Sequence, residues 1–260
     1  MCAMWSTPLS CERVDLFTDL DNTLIYSRRR PLPGDKVVVE RLNGADQSFM
    51  TGRTLEFFQH APWVRVIPVT TRSVSQFERI AAPGLKIPSA LVCNGGVLLM
   101  EGVPDVQWLE ETRQLAGREL ATLPRARAAL ERLASPEHVH MPEGLMVYAK
   151  WEDAGRAARL LREQTDGTLL DVLHGGGKVY AIPRSLNKGM AVKRFKRRFI
   201  TGFTVAAGDS EFDIPLLNAA DLAVFPPALE GAVRAPRTVV VREGPLSDGL
   251  CDVLESLRSK

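Results

Sequence analysis

Cysteine is scarce in this 260-residue chain, and the four present, Cys2, Cys11, Cys93 and Cys251, show neither paired nor metal-like spacing. A disulfide framework and a clustered-thiolate metal site are therefore excluded, and the pattern fits a reducing, cytoplasmic setting. Net charge is equally slight. The 33 Lys and Arg against 31 Asp and Glu leave +2, too little to argue for a nucleic-acid or membrane surface. No apolar run approaches membrane-spanning length, and the start lacks the charged-then-apolar pattern of a signal peptide. Hydrophobic residues make up 45%, enough to build the core of one large or two modest domains. Residues 1–12 are expected to form a loose arm.

What is present is a set of short polar motifs, each set directly after an apolar run or at a helix start. Asp19-Leu20-Asp21-Asn22-Thr23 follows the run Val14 to Phe17, which places two carboxylates just past the end of a buried strand. Ligands of open parallel sheets gather outside the carboxyl ends of the strands. An Asx turn closing a strand would use the same residue types, so this pentapeptide alone decides nothing. Val64 to Val69 then ends in Thr70-Thr71-Arg72, Asn187-Lys188-Gly189 opens a helical pattern, and Thr204 to Ala207 runs into Gly208-Asp209-Ser210-Glu211-Phe212-Asp213. Each has a plainer reading, as β-branched strand ends, a solvated lysine or a capping aspartate. All of those readings would have to hold together and in this order.

The order and spacing resemble the haloacid dehalogenase superfamily of aspartate-nucleophile phosphatases, over residues 14–96 and about 183–255. The resemblance implies an α/β fold: a Rossmann-like parallel sheet core, 13–96 and 183–260, with an αβ cap inserted at 97–182. It implies that Asp19 is the nucleophile and that Asp21 protonates the leaving alkoxide and later deprotonates water. Thr70 would hold a phosphoryl oxygen, and Lys188 would give a point charge to Asp19 and the phosphate. Asp209, with Asp19 and the backbone carbonyl of Asp21, would hold Mg²⁺, and Asp213 would orient that site. The chemistry needs these types because charge on three phosphoryl oxygens must be neutralised before a carboxylate attacks. Two positions depart from relatives with this cap: Thr71 stands where Gly is usual, and Phe212 where Asn is usual. The second puts the metal's water shell in question.

Turn chemistry and periodicity organise the rest. Asn43-Gly44 between Lys36–Arg41 and Gln47–Met50 predicts a hairpin beside the nucleophile. Thr51 is expected to cap a helix reaching about His60, and Ser73 to Ala81 reads as helical. Between 97 and 182, strands are expected at Val97–Met100, Val139–His140, Leu145–Lys150 and Lys178–Ile182, with helices near 122–134 and 153–165. This middle section resembles the caps of sucrose-phosphatase-like and Cof-like members (type IIB), where a lid excludes water and selects the leaving group.

Candidate substrate contacts are Thr71 and Arg72, Asn94 and Gly95 at the exit toward the cap, and His174 and Lys178 flanking Gly175-Gly176-Gly177. No fixed phosphate-loop pattern accompanies those glycines, and a plain hairpin is their simpler reading. Lys193 to Arg198 reads as a solvated basic face. His138, His140 and Glu143 read as a surface hairpin.

The expected activity is Mg²⁺-dependent hydrolysis of a small phosphorylated metabolite through an aspartyl-phosphate, in a monomer or homodimer with no nucleic-acid or membrane partner. A phosphotransferase or mutase, and a phosphate-binding regulatory module, are the alternatives. A second resemblance, carried by Phe17 to Ser27, Ser48-Phe49-Met50-Thr51 and Val69 to Arg72, is to bacterial members associated with tellurite- or stress-resistance clusters. It implies a ribosyl or nucleoside-like phosphate.

Overall fold

The computed structural model describes residues 13–133 and 138–258, and the arm expected at 1–12 lies outside them. Strand β1 (Val14–Thr18) is buried along its whole length. The hairpin expected around Asn43-Gly44 forms: β3 (Lys36–Leu42) and β4 (Ala45–Thr51) pair with the short β2 (Tyr26–Ser27) in the order β2-β4-β3. Thr51 caps α1 (Gly52–His60), its hydroxyl accepting from the Thr54 amide at 3.1 Å. The chain continues through β5 (Val64–Pro68), α2 (Val74–Phe77), and a small sheet of β6 (Ser89–Val92), β7 (Val97–Met100) and β8 (Val103–Pro104). Helices α3 (Val106–Leu120) and α4 (Leu123–Leu133) precede β9 (Val139–His140), β10 (Val147–Lys150), α5 (Ala154–Arg162), β11 (Leu170–Gly175) and β12 (Lys178–Pro183). Helix α6 (Lys188–Arg198), β13 (Phe203–Ala207), α7 (Ile214–Leu217), β14 (Leu222–Phe225), β15 (Thr238–Val240) and α8 (Leu246–Arg258) complete the order.

The main sheet is parallel throughout and runs β15-β14-β13-β1-β5. Alternate residues of a strand face opposite sides, and a parallel sheet covered on both sides needs apolar residues on each. That is how the strands read. Leu16, Val66 and Val205 pack with Leu55 of α1 and Leu254 of α8 on one side. Phe17, Ile67 and Ala206 pack with Phe195 of α6 and Leu217 of α7 on the other. The middle section forms a separate antiparallel sheet, β11-β12-β10-β9. Val147 and Ala149 face Leu130 of α4 and Leu161 of α5, while the alternating Tyr148, with Tyr180 from β12, faces Val92 and Leu99. One face of this cap sheet thus carries its own helices and the other turns to the core.

Three local expectations change. The helix expected to reach Ala81 stops at Phe77, because Ala81 donates to the Val39 carbonyl and Ile80 bridges Glu40, so tertiary pairing ends the helix early. Helix α3 is one that apolar spacing does not announce. Its buried stripe is Trp108, Thr112 and Ala116, with only one large hydrophobe among them. Strand β11 is also additional to the expected set. Among the described residues no helix is long and apolar enough to cross a membrane.

Phe17 is fully buried and meets Phe195 edge-on with ring centroids 5.5 Å apart. Phe17→Ala is expected to cost about 3–5 kcal/mol in urea unfolding. A loss under about 1 kcal/mol would show that the β1 to α6 contact is not what ties the sheet to that helix layer.

Candidate active site

The register of the parallel sheet brings the motif ends to one level. Thr18 lies opposite Ala207 on one side and Pro68 on the other, so Asp19, Gly208 and Val69 leave three adjacent strands together. The order of the sheet reverses between β1 and β13, which opens the crevice where such folds bind ligands. Gly208 is required at this exit. A Cβ there would come within 2.3 Å of the Asp213 Cβ, a distance that packed atoms do not tolerate.

Lys188, the first residue of α6, reaches into the crevice and is almost fully buried. Its ammonium donates to Asp19 Oδ1 at 2.6 Å and to Asp213 Oδ1 at 2.5 Å. Burial works against its charge, but the two carboxylates outweigh that and hold its pKa above the usual lysine value. Asp19 is pushed up to about 8: burial raises it most, Lys188 opposes this, and Asp213 and Asp21 add to it. Asp213 spends its other oxygen on the loop, accepting from the amides of Asp209 and Ser210 and the Ser210 hydroxyl, each at 3.0 Å.

Asp209 differs. Its carboxylate accepts no hydrogen bond among the described residues, and burial, with Asp213 nearby, pushes its pKa up to about 6. Ligand oxygens of Asp19, Asp209 and Asp213 lie within 4.8 Å of one another. Three carboxylates against one ammonium leave two negative charges in excess, and all the donors are hard oxygens. This set fits a small divalent cation such as Mg²⁺. The side chain of Asp21 is not part of the set.

Asp21 instead meets Arg72 in a two-pronged pair, Nη2 to Oδ1 at 2.7 Å and Nε to Oδ2 at 2.9 Å. The surrounding protein raises its pKa, but the Arg72 hydrogen bonds and charge prevail and hold it below the usual aspartate value. Thr70 is buried, its hydroxyl accepting from the Arg72 amide at 3.2 Å, which leaves the hydroxyl proton to be donated. Burial pushes the Tyr180 hydroxyl of the cap above the usual tyrosine value, and Thr71 beside it opposes that shift. Lys178, at the start of β12, sits 5.2 Å over the Tyr148 ring and projects its charge toward Asp21.

Asn94 adjoins the Thr70 loop, its backbone amide donating to the Thr70 carbonyl at 2.8 Å. Asn94, in a left-handed conformation at φ 58°, donates to the Leu186 carbonyl at 2.6 Å and so ties the two connections to the cap together. Gly95 is packed under α6, where a Cβ would stand 2.2 Å from that of Ala191. His174 is exposed on β11, beside Gly155 of α5. Phe212 lies with its ring 5.4 Å from Tyr180 and against Gly175, so it is a seat for the cap hairpin.

Sequence reading missed Glu40, Arg79 and Tyr180. Glu40 is buried beside Val39, and β3 slips register on both sides of it, so the strand alternation that would have flagged a buried charge is broken there. A cavity of about 550 Å³ bordered by Trp108, Glu111, Arg194 and Arg197 lies on the α3/α6 face, away from the carboxylates.

No protein-family model matches the chain, and no curated protein matches it. Solved structures do. The sucrose-phosphatase of Synechocystis sp. PCC6803, solved with sucrose and phosphate, aligns at TM-score 0.61 and 16% identity over 95% of this chain and 98% of that one. A phosphatase of the haloalkanoate (HAD) superfamily from Bacteroides thetaiotaomicron aligns at 0.56 and 13% identity, over 96% and 97%. The trehalose-6-phosphate phosphatase of Aspergillus fumigatus aligns at 0.52 and 14%, over 96% and 94%. The chain shares its fold, an α/β core with an inserted αβ section, with these phosphatases and with a subclass IIB sugar phosphatase of the HAD superfamily that aligns at TM-score 0.55 and 12% identity over 93% of this chain and 98% of that one.

Two outcomes are expected for the carboxylate cluster. Asp209→Ala should abolish the rise in Tm that added Mg²⁺ gives, whereas Asp213→Ala should cost about 3–5 kcal/mol without metal by stripping buried Lys188 of a partner. Reversal of the two effects in a thermal-shift titration would exchange their roles. Mg²⁺ affinity should also rise with pH between 5 and 8, because Asp209, at about 6, and Asp19, at about 8, must lose protons for the cation to bind. Calorimetric titrations giving the same affinity at both ends of that range would contradict it.

Proposed function

We propose that the protein is a Mg²⁺-dependent phosphomonoesterase acting on a small phosphorylated metabolite, a sugar phosphate, through an aspartyl-phosphate on Asp19. The observation that carries this reading is the buried Lys188 ammonium held between Asp19 and Asp213, with Asp209 beside them, at the carboxyl ends of β1 and β13. The sugar-phosphate class is supported by the sucrose-phosphatase and the trehalose-6-phosphate phosphatase that share the fold.

Asp19 and Asp209, with the Asp21 carbonyl, would hold the cation, and Asp213 would fix the loop that carries Asp209. When bound, Mg²⁺ neutralises phosphoryl charge. Lys188 keeps Asp19 in place and adds a positive charge beside the incoming phosphoryl oxygens. An Asp19 oxygen forms a bond to phosphorus as the ester P–O bond breaks, and its electron pair leaves with the alkoxide; Asp21, ionised beside Arg72 in the free enzyme, takes up a proton from solvent as the phosphate ester binds and passes it to that alkoxide. Asp21 then removes a proton from water as that water displaces Asp19 from phosphorus. Thr70 donates to a phosphoryl oxygen. The cap sheet, with Tyr180 and Lys178 facing the core, closes the crevice to bulk water and contacts the leaving group.

Asp19→Asn is expected to leave the circular dichroism spectrum unchanged and to lower turnover of a sugar-phosphate panel by on the order of 10⁴-fold or more. Turnover near that of the parent enzyme would remove Asp19 as nucleophile. Hydrolysis of none of the panel by the unmodified enzyme with Mg²⁺ would overturn the reading itself.

A further inference from the structure

Behind the Asp21–Arg72 pair lies a line of alternating charge that runs inward to the flap hairpin. Arg72 Nη2, which donates to Asp21, also donates to Glu40 Oε2 at 3.0 Å. Glu40 takes two more donors, the Ser48 hydroxyl at 2.6 Å and Arg79 Nε at 3.1 Å. Side-chain exposure falls steadily along the line, from 52% at Asp21 to 11% at Arg72 and 5% at Glu40. The register slips around Glu40 are what turn its carboxylate inward, next to buried Val39. A half-exposed carboxylate has many orientations in water, and a surface ion pair alone does little to select one. A guanidinium held on its far side by a buried carboxylate does select one, because its fork is planar and rigid.

We propose that Glu40 is a positioning residue for the reaction: it fixes the Arg72 guanidinium, which in turn aims the Asp21 carboxyl at the leaving-group oxygen. This rests on the phosphomonoesterase reading above. Glu40 touches neither substrate nor metal, and its effect passes wholly through Arg72. The proton that Asp21 gives to the departing alkoxide is needed most when the alkoxide is a poor leaving group and hardly at all when it is a good one. A mispositioned Asp21 therefore has a signature that general loosening of the flap lacks.

The test compares the fastest alkyl monoester of the sugar-phosphate panel with p-nitrophenyl phosphate, at saturating Mg²⁺. Glu40→Gln keeps the side-chain volume and one acceptor while removing the charge. Because Asp21 also serves as base in the breakdown step common to both esters, the readout is kcat/KM, which ends at phosphoryl transfer to Asp19: it should fall by about 10–100-fold on the alkyl ester and by less than about threefold on p-nitrophenyl phosphate. In an Asp21→Asn background the same change should cost nothing further, since the two groups act in one chain. Equal losses on both esters, no loss on either, or full additivity with Asp21→Asn would overturn the proposal. Ser48→Ala, which removes one donor to Glu40 and little else, should move the same ratio in the same direction. If Glu40→Gln fails to fold, an unchanged ratio in Ser48→Ala overturns the proposal on its own. Failure of the unmodified enzyme to hydrolyse either ester would instead strike the phosphomonoesterase reading.

Discussion

The ammonium of Lys188 holds the rest of the site together. A lone carboxylate as buried as Asp19 or Asp213 would be expensive to ionise, and so would a lone buried lysine. Placed between them at hydrogen-bond distance, the cation offsets part of the cost of ionising them and ties the end of β1 to the loop after β13. The arrangement is still short of positive charge, since Asp209 stands nearby with no donor of its own among the described residues. A site that is incomplete in this way is suited to a doubly charged cation.

The cap meets the core through aromatic and polar contacts that reach the same loops. Tyr148 and Tyr180 lie 5.7 Å apart on the core-facing side of the cap sheet, and Tyr180 continues onto Phe212. Gln76 donates to the Tyr148 hydroxyl at 2.9 Å, from the segment directly after Arg72. Phe212 lies between Asp209 and Asp213 in the chain, so an aromatic residue in place of a polar one joins the cation loop to the cap. The water-shell role that Asn would suggest has no counterpart in that contact. Asp213, saturated by Lys188 and the loop amides, holds the turn by itself.

Much of this was legible because it is local. Apolar runs ending in Asp19, Thr70 and Asp209 mark strand ends, Asn43-Gly44 marks its hairpin, and Thr51 marks a helix start, since each follows from a few adjacent residues. What stayed hidden depends on distant partners. The short α2 is cut by pairing with β3, Glu40 is buried at a register slip, and Phe212 takes its role from Tyr180, more than 30 residues upstream in the cap. The spacing of Thr112 and Ala116 behind Trp108 is helical, but their small or polar side chains hide α3 from any reading based on hydrophobicity. Gly95 looked like a ligand-side glycine by its neighbour Asn94, and only the closeness of α6 reveals it as a packing position.

The place of β1 between β5 and β13 in the sheet sets a schedule for making the protein. This strand finds β5 within about fifty positions and then keeps one edge open until β13 is synthesised. Asp19 and Lys188 are 169 residues apart, so at ribosomal speed the apolar edge waits on the order of ten seconds for its partner. Throughout that interval the nascent chain presents an unpaired hydrophobic strand edge to its surroundings, and whatever shields it there is as necessary to the finished site as the residues that line it.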